Sequence, residues 1–261
     1  MEYENPFEVE AIPRRVMPLI FVVDTSGSMG GAKIASVNQA VRETLSELGE
    51  ISRNNSDAQI KVGALEFSSG TSWMYPQLED SESFQWQDLS ASGMTSFGAA
   101  LTELNAKLSK TSGFMSEPTG LRAPALILLS DGEPTDEYTH PLEKLKGNSW
   151  FKVAVKVAIA IGDSANKQPL IDFTGNPECV ISVHDVNQLK KIIRAVSLTA
   201  SMVASQHSST LNTASQSTDD ALTNQAAQSI TAQIQNDQSL QGVDQGTSTA
   251  NAGTDNWGGQ W

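Results

Sequence analysis

Met17-Pro18-Leu19-Ile20-Phe21-Val22-Val23-Asp24-Thr25-Ser26-Gly27-Ser28-Met29 decides how this chain is read. Met17 to Val23 is a continuous apolar run. A strand open to water on one face alternates apolar and polar residues; a run without alternation marks a strand covered on both faces. The run stops at Asp24, and small hydroxyl residues around Gly27 follow. That is a buried strand emptying into a polar loop.

The neighbouring segments repeat the theme. Ile34, Val37, Val41, Leu45 and Leu48 recur at spacings of 3, 4, 4 and 3, the face of a helix. Gln59 to Phe67 alternates as a second strand, and Thr71 to Leu78 is placed to return beside it as an antiparallel hairpin. Ser96 to Leu108 predicts a helix, Ala125 to Leu129 a buried strand, and Tyr138 to Lys146 a short helix. Lys152 to Ile161 and Cys179 to Val183 predict further strands. Asp185 is placed to cap a last helix with Leu189, Ile193, Val196 and Ala200 inside. Strands alternating with helices predict an α/β domain of Rossmann-like type. Its central sheet is mostly parallel, with one antiparallel edge strand and helices on both faces.

The composition breaks near residue 205. Residues 1–15 read as an N-terminal extension and 16–204 as the folded domain. From Ser205 to Trp261 there is no Lys, Arg or Glu, and that stretch is rich in Ser, Thr, Gln, Asn, Ala and Gly. Such a segment buries too little apolar surface to offset its ordering entropy, so 205–261 reads as a disordered tail. One weak helical stretch is predicted from Asp219 to Ile234. Trp257 and Trp261 at the far end read either as a docking motif for a partner or the chain's own domain, or as drift in an unstructured tail.

The net charge is −13 over 261 residues. A strongly acidic chain repels nucleic acid and anionic lipid, so neither is expected as a partner. The stretch before Met17 is acidic without an apolar core and does not read as a secretory signal. Met17 to Val23 is too short to span a bilayer. The single cysteine, Cys179, fits a reducing compartment and reads as a small buried hydrophobe. A cytoplasmic location is the expectation.

In open α/β sheets the functional crevice lies at the carboxyl ends of the strands. Three segments bring polar residues there: Asp24, Ser26 and Ser28 after the first strand, Thr95 before the Ser96 helix, and Asp131 after the Ala125 strand. Two carboxylates and three hydroxyls make an all-oxygen donor set, which suits Mg²⁺, Mn²⁺ or Ca²⁺. Residues two apart in a loop can turn to one side, so Ser26 and Ser28 can touch one ion, leaving Asp24 and Asp131 to hold coordinated water. A first shell of neutral hydroxyls and water leaves the ion much of its charge, which favours capture of a partner's Asp or Glu.

The enzyme alternatives fare less well. A phosphohydrolase or phosphotransferase built on Asp24 needs a second carboxylate two residues on, and Ser26 stands there. No Gly-x-Ser-x-Gly elbow surrounds Ser26 or Ser28, and no phosphate-cradling glycine loop is present. His140 and His184 read as surface or core residues. Glu66, Asp136 and Asp163 read as caps or rim residues beside the site. Trp73, Tyr75, Phe84 and Trp86 read as packing around the edge hairpin, or as part of a partner surface. A further alternative makes the tail the working part of an adaptor.

Phe21 to Met29 resembles the metal-ion-dependent adhesion site (MIDAS) of von Willebrand factor A domains: Asp-x-Ser-x-Ser after the first strand, then a Thr in a glycine-containing loop, then an Asp at a later strand end. Thr95 and Asp131 match the last two positions. The resemblance implies direct metal contact by Ser26, Ser28 and Thr95, water-mediated contact by Asp24 and Asp131, and a binding rather than catalytic role. Arg14-Arg15, Val37-Asn38-Gln39-Ala40, Ser92-Gly93-Met94-Thr95 with Phe97-Gly98-Ala99-Ala100-Leu101, and Ser130 to Asp136 are similar to the tellurite-resistance TerY-type subgroup of bacterial proteins. That likeness implies a cytoplasmic stress-response or defence complex with kinase-like and phosphatase-like partners. Met94 departs from the second glycine found in many relatives. The tail lacks the cysteines of the zinc-binding ends that some relatives carry.

Overall fold

The computed structural model describes residues 14–56, 58–116, 120–206, 221–236 and 244–245. In chain order the elements are β1 (Arg15–Asp24), α1 (Ala32–Asn54), β2 (Ala58–Phe67), β3 (Thr71–Trp73), β4 (Glu79–Asp80), α2 (Phe97–Lys107) and β5 (Ala125–Ser130). There follow α3 (Thr139–Lys146), α4 (Ser149–Lys152), β6 (Val155–Ile161), α5 (Lys167–Thr174), β7 (Val180–Val183), α6 (Val186–Gln206), α7 (Ala221–Asn236) and β8 (Asp244–Gln245).

β1 is the centre of the sheet, which is why its sequence carries no alternation. It runs parallel to β2 on one side, with Leu19 opposite Val62, and parallel to β5 on the other, with Leu19 opposite Ala125. The strand order is β3-β2-β1-β5-β6-β7-β8, with β4 also on β2. The five long strands are parallel; β3, β4 and β8 are short antiparallel additions at the margins.

Alternate β1 residues face opposite layers. Met17, Leu19, Phe21 and Val23 pack in the layer of α1, α6 and α7. Val16, Ile20 and Val22 pack in the layer of α2, α3, α4 and α5. Each fully buried large side chain of this kind contributes roughly 1.5–3 kcal/mol by leaving water.

Three local expectations differ from the structure. The Thr71–Leu78 return shortens to β3, and a separate β4 pairs with β2 further along. Pro76 lies between them and has no N–H to continue a ladder. The expected Lys152–Ile161 strand starts only at Val155, and Lys152 instead ends α4, because the Asn148 side chain accepts from the Trp150 and Phe151 N–H groups and closes a helical turn. The short α5, unanticipated from the sequence, is capped by Asn166 and ends at Gly175, whose φ of 75° gives the left-handed stop.

Within the low-complexity stretch, the predicted Asp219–Ile234 helix is present as Ala221–Asn236 and is packed rather than isolated. Ala226, Ala227, Ile230 and Ile234 are buried along one face. Thr223 Oγ1 donates to Ala154 O at 3.0 Å and accepts from Lys156 N at 3.2 Å, which ties the helix to β6. The two tryptophans of the far end, Trp257 and Trp261, lie outside the described residues.

The aromatic group divides. Phe84 and Trp86 are core residues, and Trp86 meets Phe21 edge-on at 6.2 Å. Trp73 lies half-buried against Phe114, with ring centroids 4.8 Å apart. Among the described residues no helix is long and apolar enough to cross a membrane.

If α7 is part of the cooperative fold, Ile230→Ala should lower unfolding stability by about 2–4 kcal/mol. Denaturant unfolding followed by circular dichroism measures this, with a single transition in both proteins.

Candidate metal centre

β1 and β5 are neighbours, yet the chain leaves β1 toward β2 on one side and returns to β5 on the other. The strand order therefore reverses between them, and a crevice opens at their carboxyl ends. Asp24 is the last residue of β1, and Asp131 follows the last residue of β5. Both carboxylates are buried, at 0% and 4% exposure.

Asp24 is anchored at both oxygens. The Ser26 N–H donates to Oδ1 at 2.8 Å, and Ser130 Oγ donates to Oδ2 at 2.6 Å. Burial nevertheless pushes the Asp24 carboxyl above its ordinary value. The Ser130 and Ser26 hydrogen bonds oppose that rise, and the nearby Asp131 charge adds to it. Asp131 is held differently. Its Oδ2 lies 3.5 Å from Lys33 Nζ, while its Oδ1 is buried with no hydrogen-bond partner. Its backbone is fixed by the Asn166 N–H, which donates to Asp131 O at 3.0 Å. Gly132 next to it has a φ of 77°, and a Cβ there would stand 2.0 Å from Asn166 O, so only glycine lets the chain turn here.

The two serines meet. Ser26 Oγ and Ser28 Oγ share a hydrogen bond of 3.0 Å across a single 3₁₀ turn, Gly27–Met29. The Thr95 loop is laced to this turn through the backbone: Gly27 N donates to Gly93 O at 3.1 Å and Ser92 N to Thr25 O at 2.8 Å. Thr95 itself is buried. Its N–H donates to Thr135 Oγ1 at 3.1 Å, and Thr135 N returns a bond to Thr95 O at 2.9 Å. Asn38 of α1 pins the approach to this loop, accepting from Trp86 Nε1 and Leu89 N and donating to Leu89 O.

The structure thus brings the Asp24, Ser26 and Ser28 loop, the Thr95 loop and the Asp131 loop into one hydrogen-bonded unit. Asp136 acts as a cap, accepting from Gly98 N and Ala99 N at the start of α2. Asp163 pairs with His184. Glu66 stands half-buried at the end of β2, its carboxyl pushed up by burial. His140 is exposed. Lys33 carries no mark in the sequence, and Ser130 and Thr135 stand out there only as part of the Ser130 to Asp136 stretch, without a role of their own at the site. Ser130 precedes Asp131 directly, and that adjacency was the one signal available for such a role.

The donors fit a hard divalent cation. All are oxygens, and Asp131 Oδ1 is a buried acceptor with capacity to spare. Among the described residues no cluster of three or more His, Cys, Asp or Glu side chains offers a different metal site.

Fold and site together define a doubly wound α/β domain with an oxygen-lined crevice at its switch point. The chain belongs to the family of the von Willebrand factor type A domain, whose profile matches residues 19–195. Solved structures agree on the fold. It is similar to a von Willebrand factor type A protein from Catenulispora acidiphila (18% identity, TM-score 0.53, covering 72% of this chain and 43% of that one). It is also similar to a pilus adhesin from Lactobacillus rhamnosus GG in an open conformation (15%, 0.53, 73% and 30%). A third is proximal thread matrix protein 1 of the mussel byssus with a zinc-occupied MIDAS motif (20%, 0.50, 72% and 46%). The chain spans less than half the length of each of these. No curated protein matches it.

Asp24→Asn should separate the charge from the fold. Because burial raises the native carboxyl above 3.8, the native state holds its proton longer than the unfolded state. Stability is therefore lost as pH rises from the unfolded value through the raised native value. In EDTA, the stability of Asp24→Asn relative to the parent should rise across that interval and stay level at neutral pH, offset by a pH-independent cost of setting the amide against the Ser26 and Ser130 donors. Urea unfolding at stepped pH measures the difference.

Proposed function

We propose that this domain is a non-enzymatic, divalent-metal-dependent protein-binding module. Ser26, Ser28 and Thr95 hold the cation, Asp24 and Asp131 act through its water, and a partner's Asp or Glu completes the site. The observation that carries the reading is two hydroxyl oxygens 3.0 Å apart beside two buried carboxylates, one with an unused oxygen. Neighbouring ligands of an octahedral ion with bonds of about 2.1 Å stand about 3 Å from each other. A bound Mg²⁺, Mn²⁺ or Ca²⁺ would supply an electrophilic position for an incoming carboxylate. The mussel protein with zinc in its MIDAS motif supports a cation at the equivalent place.

The chain's own residues favour binding over phosphoryl chemistry. Asp24 is fully buried and each of its oxygens already accepts a hydrogen bond, from Ser26 N or Ser130 Oγ, which suits holding a further donor such as water better than attack on a substrate. Met94, 56% exposed beside Thr95, offers a partner an adaptable apolar contact at the rim. The proposed setting is a cytoplasmic stress-response or defence complex with kinase-like and phosphatase-like partners. Its support is the TerY-type likeness of Ser92 to Leu101 and Ser130 to Asp136, together with the buried Cys179.

Calorimetric titration with Mg²⁺ and Mn²⁺ tests the reading. The parent protein should take up a single ion and gain about 2.7 kcal/mol of stability at a hundredfold excess over Kd. Ser26→Ala should keep its circular dichroism spectrum and lose affinity by about tenfold or more. Affinity capture from an extract of the host should lose its partner in EDTA. Capture indifferent to chelator contradicts the proposal.

A further inference from the structure

We infer that Lys33 is a built-in counter-cation of the crevice, one that holds down its affinity for a divalent ion by stabilising the metal-free state. The inference rests on the metal-binding reading above. Lys33 Nζ lies 3.5 Å from Asp131 Oδ2, with its side chain only 17% exposed and that of Asp131 5% exposed. The ammonium therefore neutralises the carboxylate that stands next to Asp24 in a site with little water. Two like charges share this crevice, and the Asp131 charge raises the Asp24 carboxyl further. A single internal cation relieves that repulsion when no metal is bound.

The position of Lys33 in the fold has no local explanation. It is the second residue of α1, and the first turn of that helix carries no acidic residue. A positive charge at a helix N-terminus opposes the partial positive charge of the exposed N–H groups, so helix electrostatics disfavour lysine here. Asp131, across the crevice from another strand, supplies the compensation. The preceding Gly31, with a φ of 70°, starts the helix in the geometry that brings Lys33 over the site.

A divalent ion entering the crevice meets this ammonium as a competitor. It must either displace Lys33 from Asp131 or accept a like charge close by. Affinity is the difference between the loaded and empty states. Lys33 lowers the free energy of the empty state and raises that of the loaded one, and both effects weaken metal binding. The residue acts through Asp131 and is a positioning and tuning residue rather than a ligand.

The test uses the full chain, Mn²⁺ as probe, and the variants Lys33→Met and Lys33→Arg. Lys33→Met keeps the length of the stem and removes the charge. It should bind Mn²⁺ about tenfold more tightly by calorimetry, the scale of one opposing charge removed from a partly buried site. In EDTA it should melt below the parent, because Asp131 is left uncompensated. In saturating Mn²⁺ that gap should close. Lys33→Arg should return both quantities toward the parent. Equal or weaker Mn²⁺ binding by Lys33→Met, with the parent binding normally, overturns the role of Lys33 and leaves the metal site standing. A parent protein that takes up no Mn²⁺ overturns the metal reading and this inference with it.

Discussion

The pairing of β1 with β5 forces two carboxylates into one buried crevice, and the rest of the site follows from making that tolerable. Val23 stands opposite Leu129, so the strands end together, with Asp24 level with Ser130 and Asp131 the next residue on. Charged groups removed from water need compensation nearby. Asp24 receives it from the Ser26 N–H and the Ser130 hydroxyl. Asp131 receives it in part from Lys33 and keeps one oxygen unsatisfied. An incomplete balance of this kind is what a cation-binding site presents when considered through its own residues alone.

Rigidity is the second requirement, and the sheet supplies it. β1 is apolar and buried to its end, so the position of Asp24 is fixed by packing on both faces. The loops add little of their own; they are held by one another. The backbone bonds of Gly27 to Gly93, Ser92 to Thr25 and Thr95 to Thr135 make the three loops one unit. Asn38 and Trp86 link that unit to α1 and the core. A side chain held in this way is pre-organised, so the ion proposed for this site would bind at little cost in ordering entropy.

Much of this was legible in the sequence. The unbroken run from Met17 to Val23 reads as a strand covered twice, and the alternation of strands with helices implies helices on both faces. Asp24, Ser26 and Ser28 alone would also suit a solvated turn; they stand out because Thr95 and Asp131 sit at matching loop and strand ends. What was not legible depends on distant contacts. Lys33 reads as an ordinary helix-surface lysine until β5 places Asp131 beside it. Thr135 reads as a turn residue until the Thr95 loop folds against it. α5 has only Leu170 and Phe173 as strong anchors, too few for a periodic signal. The α7 helix is legible as Asp219–Ile234, but its packing is not, because it lies in a stretch whose average composition suggests no core. Yet Ile230 and Ile234 fall one turn apart with Ala226 and Ala227 behind them, and neighbouring elements supply the burial that composition alone does not reveal.

The most direct measurement is anomalous diffraction from crystals grown with Mn²⁺. A single strong peak should lie at about 2.2 Å from both Ser26 Oγ and Ser28 Oγ, a bonding distance for a hard cation, with Asp24 and Asp131 behind its water. No peak in the crevice, or one on carboxylates elsewhere on the surface, would contradict the assignment of this crevice as a metal centre.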